Sequence, residues 1–92
     1  MAVQNFQVTL GAASTPILAN GDILAKWVIF QNNAAHSMRL GATVTSSKGL
    51  LLNAGGAFNA IPTAPVAFTK LKYWNVIGTQ NDVLDVIYED GV

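Results

Sequence analysis

Turn-forming residues divide this chain into short segments, and their spacing restricts the possible fold more than any other feature. Clusters of Gly, Asn, Ser and Pro recur at intervals of roughly 8 to 12 residues. Several segments between them, such as 6–10 and 36–40, alternate apolar and polar residues. A period of two is typical of a strand with one buried face. We therefore expect an all-β chain that forms a compact, antiparallel two-sheet sandwich, jelly-roll-like, with about eight short strands.

The candidate strands are separated by clear turn signals, and no helix is predicted. The best helix candidate is segment 23–31, but its β-branched and aromatic residues favour a strand. Residues 1–92 are expected to form a single domain, with residues 1–5 as a candidate N-terminal arm before the first strand. The candidate strand segments are 6–10, 16–19, 23–31, 36–40, 43–45, 50–52, 57–61, 66–69, 73–77 and 83–88.

Charged residues are unusually sparse in this chain. It has five basic and five acidic residues, a formal net charge of zero, and 51% hydrophobic residues. An ordinary soluble domain carries about 25% charged residues. Because a small domain has a large surface for its volume, most of this surface must be uncharged. Depletion of charge together with aromatic residues is typical of the centre of a protein–protein interface. We therefore expect a homo-oligomer, a dimer or trimer, within a larger assembly.

The same composition argues against several classes of partner. The chain has no cysteine, which excludes disulfides and thiolate metal sites and fits synthesis in the cytoplasm. Its N-terminus lacks the basic residues and apolar run of a signal peptide. Segment 23–30 is interrupted by Lys26 and is far shorter than the ~20 residues of a membrane-spanning helix. Without clustered Lys and Arg, neither a nucleic acid nor a membrane is an expected partner.

No residue pattern indicates catalysis, a metal or a cofactor. His36 is the only histidine, and no serine lies in a G-x-S-x-G motif, so His36 is interpreted as a structural or surface residue. Residues 53–56 lack the Lys-Ser/Thr of a phosphate-binding loop and predict a tight turn. Four late acidic residues are too loosely spaced for a calcium loop and are interpreted as charges on a solvated edge strand. They are Asp82, Asp85, Glu89 and Asp90.

Two pairs of aromatic residues are predicted to face opposite sides of their strands. These pairs are Trp27 with Phe30, and Tyr73 with Trp74. One member of each pair is expected to fill the core, and the other to face the surface or a partner. An exposed Trp or Tyr is either an interface anchor or a platform for sugar stacking. Because no charged clamp for a sugar accompanies these aromatic residues, the interface interpretation is favoured.

The predicted interface combines the N-terminal arm with the second aromatic pair. A chain end stays disordered unless something holds it, so we expect the arm to reach a neighbouring subunit. The predicted interface residues are Ala2, Val3, Gln4, Asn5, Phe6, Tyr73 and Trp74.

The order of strands and turns over residues 27–88 resembles that of small structural proteins from tailed bacteriophages. Each motif is common turn chemistry, and the resemblance lies in their order. Proteins of this kind are β-sandwiches on virions, and they include the decoration, or cement, proteins of capsids. The segments that carry the resemblance are 27–33 (WVIFQNN), 38–41 (MRLG), 45–49 (TSSKG), 52–56 (LNAGG), 73–79 (YWNVIGT) and 83–88 (VLDVIY).

This resemblance implies a non-enzymatic virion protein that binds the major capsid protein on the outer surface of the capsid and stabilises the shell. It would be located on the virion after synthesis in the host cytoplasm. A glycan-binding module of a phage head or tail fibre is the alternative function. A structural subunit of the tail or neck is the third.

The sparse charge predicts self-association of the isolated protein, because a near-neutral surface opposes contact between copies only weakly. Sedimentation velocity over a range of concentrations should show dimers or trimers. A monomer at every concentration would contradict this prediction.

Overall fold

The computed structural model describes residues 2–18, 22–61 and 69–91, and its regular structure is almost entirely strand. In these ranges the only helical element is one 3-10 turn, Leu71–Tyr73, and no helix is long and apolar enough to cross a membrane. The strands are β1 (Val3–Thr9), β2 (Thr15–Pro16), β3 (Leu24–Asn32), β4 (Met38–Gly41), β5 (Leu50–Leu52), β6 (Ala57–Ala60), β7 (Thr69–Lys70), β8 (Asn75–Ile77) and β9 (Val83–Asp90).

The strands form two antiparallel sheets with the connectivity of a jelly roll. Sheet A has the order β1-β9-β3-β6, with β7 also paired to β3, and sheet B has the order β2-β8-β4-β5. The pairs β4–β5, β3–β6, β2–β8 and β1–β9 are nested in sequence and alternate between the sheets. A long hairpin rolled over in this manner gives the jelly-roll sandwich. The predicted fold class is therefore confirmed.

Apolar side chains from the inner faces of both sheets form one core. Inward and outward residues alternate along β3 and β9, as expected for strands with one buried face. Burial of these side chains removes apolar area from water and stabilises the packing of the two sheets. The buried core residues are Val8, Leu10, Ile17, Ala25, Val28, Phe30, Met38, Leu40, Leu52, Leu71, Val76, Leu84, Val86 and Tyr88.

The first strand begins earlier than the sequence predicted, so residues 3–5 are not a free arm. β1 pairs with β9 along its whole length, from Val3 opposite Glu89 to Thr9 opposite Val83. Residues 3–5 also continue the alternation of side chains seen in the predicted strand. The side chains of Val3 and Asn5 point outward, on the same side as that of Gln7. The ladder to β9 pairs the main-chain groups that point toward β9, which a free arm would leave to water.

The last strand is not at an edge, so the solvated-edge interpretation of the late acidic residues is wrong. β9 lies between β1 and β3, with seven residue pairs to each neighbour. The carboxylates of Asp85 and Glu89 still face outward, although β9 is an interior strand. Both residues are two positions from exposed Ile87, and alternate residues of a strand point to the same side. Their partners therefore come from side chains of the flanking strands.

Smaller differences concern strand ends. Segment 43–45 is not a strand, because mutual backbone hydrogen bonds between Thr45 and Lys48 close a loop there. Trp74 follows the 3-10 turn, so β8 begins only at Asn75. Of the predicted strand 66–69, Thr69 lies in β7 and residues 66–68 lie outside the described residues, as does Ala19 of the predicted strand 16–19.

A buried amide at the end of β3 links the two sheets. Asn32 is fully buried, and its Nδ2 donates to the carbonyls of His36 at 2.9 Å, Leu52 at 3.0 Å and Asn53 at 3.2 Å. Its Oδ1 accepts the backbone N–H of Ala34 at 2.9 Å. These contacts fix the crossing from β3 in sheet A to β4 in sheet B. They also hold the end of β5 against that crossing.

The backbone of Asn32 completes the same clamp through the turn before β6. Its N–H donates to the carbonyl of Gly56, and its carbonyl accepts the N–H of Gly55. Gly55 has a φ of +79°, and the N–H of Gly56 donates to the carbonyl of Asn53. The tight turn predicted for residues 53–56 is thus confirmed, and glycine fits its left-handed position without a steric penalty.

Replacing Asn32 with Ala should lower the free energy of unfolding by about 3 kcal/mol, because several buried backbone groups lose their partner. Urea denaturation measures this change. The matched control is Asn59→Ala on the exposed side of β6, which should change stability by less than about 0.5 kcal/mol. Equal effects of the two substitutions would show that the buried amide is not a clamp.

Candidate interaction surface

The outward side of sheet A forms a broad surface, which we call face A. Its side chains come from four adjacent strands and mix amide, apolar and two acidic groups, and alternation along each strand defines them. Face A consists of Val3, Asn5, Gln7, Thr9, Trp27, Ile29, Gln31, Ala57, Asn59, Val83, Asp85, Ile87 and Glu89.

A β-bulge places Trp27 on face A. The register between β3 and β9 shifts between Ala25, opposite Asp90, and Trp27, opposite Glu89. The extra residue in β3 shifts the alternation of inward and outward side chains by one position. Ala25 is therefore buried, whereas Trp27, two residues later, points outward beside Glu89. The indole Nε1 of Trp27 donates to the Glu89 carboxylate at 2.8 Å. This bond holds the ring against the sheet and gives the carboxylate a neutral partner.

The second carboxylate of face A, that of Asp85, is also bound by neutral side chains, here two amides. Asp85 accepts from the side-chain amide of Gln7 at 2.8 Å and from that of Asn33. The ion pairs formed within the described residues include neither Asp85 nor Glu89. Both acidic groups are therefore hydrogen-bonded along the surface by uncharged neighbours. Within the described residues, neither carboxylate is ion-paired with a cation that another molecule would have to displace.

The centre of face A is apolar. Ile29 and Ile87 lie directly opposite each other on β3 and β9, and Asn5 is opposite Ile87 on β1. These residues border a shallow depression of about 190 Å³. At the end of β1, Val3 is 60% exposed. Face A thus has an apolar middle surrounded by amides, which is the composition typical of an interface core and its rim.

The predicted N-terminal interface residues divide between the two sides of sheet A. Val3 and Asn5 lie on face A, whereas Phe6 points inward and packs edge-on against Tyr88 with ring centroids 5.9 Å apart. Gln4 shares the parity of Phe6 but is exposed near the end of the strand. The carbonyl of Ala2 accepts the N–H of Asp90, extending the β1–β9 ladder. Contact of these residues with another subunit stays a prediction.

Tyr73 and Trp74 are separated as predicted, but by a 3-10 turn rather than by strand alternation. Trp74 packs on Phe30 and Phe58, with ring centroids 5.0 and 6.2 Å away. Tyr73 is 61% exposed, and the Lys70 and Lys72 ammonium groups lie 5.7 and 5.5 Å from its ring centroid. Tyr73 is therefore surrounded by charge rather than by the uncharged surface expected of a dry anchor.

The lone histidine ties two loops together. His36 Nδ1 lies 3.0 Å from an Asp82 carboxylate oxygen, and the His36 side chain is 59% exposed. The contact joins the β3–β4 loop to the β8–β9 loop. The interpretation of His36 as a surface residue with a structural contact is confirmed. Among the described residues, no three His, Asp or Glu side chains are grouped as a metal site would require.

A second surface feature lies on the opposite side of the sandwich. On the outward side of sheet B, which we call face B, Arg39 of β4 is opposite Leu51 of β5 and Ile77 of β8. These side chains line a cavity of about 330 Å³. Met38 of β4 also lines the cavity, and the remaining walls come from the loops around sheet B: Ala12, Ser37, Thr45, Ser46, Gly78 and Thr79. Sequence reasoning missed this cavity, because its walls come from three strands and four separate loops.

Replacing Trp74 with Ala should lower stability by about 3 kcal/mol, since an aromatic ring packed on the core is lost. Tyr73→Ala is the matched control and should cost less than about 1 kcal/mol, the value of exposed cation–π contacts. Thermal or urea unfolding measures both changes. A similar loss for the two variants would contradict the placement of these rings.

Comparison with protein-family models, with curated proteins and with solved structures finds no match to this chain. Its function is therefore inferred from its own residues, above all those of face A and face B.

Proposed function

We propose that this chain is a non-enzymatic structural protein of a tailed-bacteriophage virion. It acts as a decoration protein that binds the outer surface of the capsid through face A and stabilises the shell. The observation that carries the proposal is the chemistry of face A. Its centre is apolar, and both of its carboxylates are hydrogen-bonded by neutral neighbours on the same surface.

Burial of face A against another protein costs less than burial of an ordinary surface. A buried charge is destabilising when it has no partner. Asp85 and Glu89 keep their Gln7 and Trp27 partners when they are covered, since those partners lie on the same sheet. The partner therefore needs to supply only apolar contacts and hydrogen bonds, not a matched set of cations.

A decoration protein can stabilise a shell through many copies of one moderate contact, without any single tight contact. Each apolar contact contributes about 25 cal/mol per Å² buried, and a symmetric shell offers the same contact many times. A dimer or trimer that spans neighbouring subunits adds the effective concentration of linked sites. A contact of modest strength through face A is sufficient under those conditions.

The sequence resemblance over residues 27–88 supports a phage virion as the setting. The jelly roll is also a fold of viral capsid proteins, although it is shared with lectins and cupins. The fold by itself therefore does not select the function. The lectin-like alternative, a glycan-binding fibre module, is favoured by a different feature, the cavity on face B.

The number of copies on the virion tests the proposal. Quantitative mass spectrometry of purified virions from the phage that encodes this chain should give copies on the order of hundreds, in fixed ratio to the major capsid protein. A few dozen copies or fewer would favour the fibre module. Absence from the virion would contradict both.

A pair of substitutions tests whether face A is the docking surface. Ile87→Arg places a charge at the centre of face A, and Leu51→Arg places one on face B at a similarly exposed apolar residue. Ile87→Arg should weaken binding to shells assembled without the chain by about tenfold or more, because a long charged side chain replaces apolar contact at the centre of face A. Leu51→Arg should bind like the parent protein. Equal binding by the two variants would show that face A does not dock.

A further inference from the structure

We propose that the face B cavity binds one carboxylate-bearing sugar residue, with Arg39 pairing to the sugar carboxylate. This activity goes beyond shell binding and does not require it. The volume of the cavity is about 330 Å³, which is near the lower end of the range for ligand sites in proteins. It therefore suits a single small ring rather than an extended chain.

Arg39 is positioned for a ligand because the described residues give it no acidic partner. The ion pairs in this part of the structure do not include Arg39. Among the described residues, its side chain donates one hydrogen bond, from Nη1 to the carbonyl of Gly49 at 2.9 Å. A guanidinium has five N–H donors in a fixed planar fork, so this bond orients the group and leaves donors for a carboxylate.

The loop that orients Arg39 depends on a glycine. Gly49 has a φ of +122°, and a Cβ at this position would lie 2.9 Å from Val44 Cγ1 and 3.1 Å from the carbonyl of Leu40. Only glycine adopts this conformation without strain, and no side chain fits the space. The carbonyl that fixes the guanidinium is therefore held by backbone geometry, not by a mobile side chain.

The cavity walls match the two surfaces of an acidic sugar. Leu51 and Ile77 flank Arg39 and offer apolar contact to the C–H face of a ring. Hydroxyl groups from three loops surround them and can exchange hydrogen bonds with sugar hydroxyls. These hydroxyls belong to Ser37, Thr45, Ser46 and Thr79. Because Arg39 is the only charged residue among the described residues of the lining, a singly charged carboxylate fits better than a doubly charged phosphate.

The two faces of the sandwich point in opposite directions. If face A docks on a shell, face B and its cavity point away from the shell. A sugar bound there could belong to a cell surface or to secreted polysaccharide. The binding test below uses the free protein, so its outcome does not depend on docking. Failure of sugar binding would leave the shell-binding proposal intact, and the reverse also holds.

Titration of the isotope-labelled protein by NMR tests the site with methyl β-glucuronide as the probe. Methyl β-glucoside, inorganic phosphate and a short peptide with a free carboxylate are the comparison ligands. The glucuronide should shift the amide resonances of the cavity loops, including Ser46 and Thr79, and bind about tenfold or more tightly than the glucoside. Equal or tighter binding of the glucoside, the phosphate or the peptide would overturn the proposal.

Three variants connect that binding to Arg39. Arg39→Met should weaken glucuronide binding by about tenfold or more, since a charge-assisted pair is lost. The matched control Lys48→Met removes the same charge from a nearby loop residue outside the cavity lining and should bind normally. Leu51→Glu leaves Arg39 in place but adds a competing carboxylate, and it should also weaken binding by about tenfold or more. Loss of binding in Lys48→Met, or retention in Leu51→Glu, would overturn the assignment.

Discussion

The buried amide of Asn32 is the interaction on which the arrangement of the two sheets depends. The chain leaves sheet A at this residue, and the amide holds the carbonyls of His36 and Leu52 on the sheet B side. Every buried side-chain nitrogen or oxygen in the described residues has a partner, so this network is complete. A complete buried network favours one arrangement over others, because each alternative leaves a polar group unpaired. Ser37 lies in this connection between β3 and β4, so the same network positions one of the residues that line the face B cavity.

The few charges of the chain are distributed unevenly over the sandwich. Face A carries Asp85 and Glu89, both bound by neutral side chains, whereas the charged residue among the described residues of the face B cavity is Arg39. Other charges pair at the periphery, where Asp22 lies 3.7 Å from both Lys70 and Lys72. The result is one face that can be covered at low electrostatic cost and a second that presents a cation in a cavity. These different chemistries are the reason for assigning different roles to the two faces.

Several site residues were identified from the sequence with partly incorrect reasons. The separation of Tyr73 from Trp74 was predicted from strand alternation, yet a 3-10 turn produces it. Val3 and Asn5 were predicted to contact a neighbour as part of an arm, and the structure places them on face A within a strand. Trp27 was correctly predicted to face away from Phe30, although its contact with Glu89 depends on a bulge that has no local sequence signal.

The sequence by itself determined the fold class, the main turns and the shortage of charge. Period-two alternation and turn residues are local features, so they can be read over a few neighbouring positions. Only the tertiary structure decided that β9 lies inside a sheet, that Asp85 is bound by Gln7, and that Arg39 shares a cavity with Thr79. These relations join residues that are 40 or more positions apart in sequence. Strand order and register, which no local pattern encodes, bring them together.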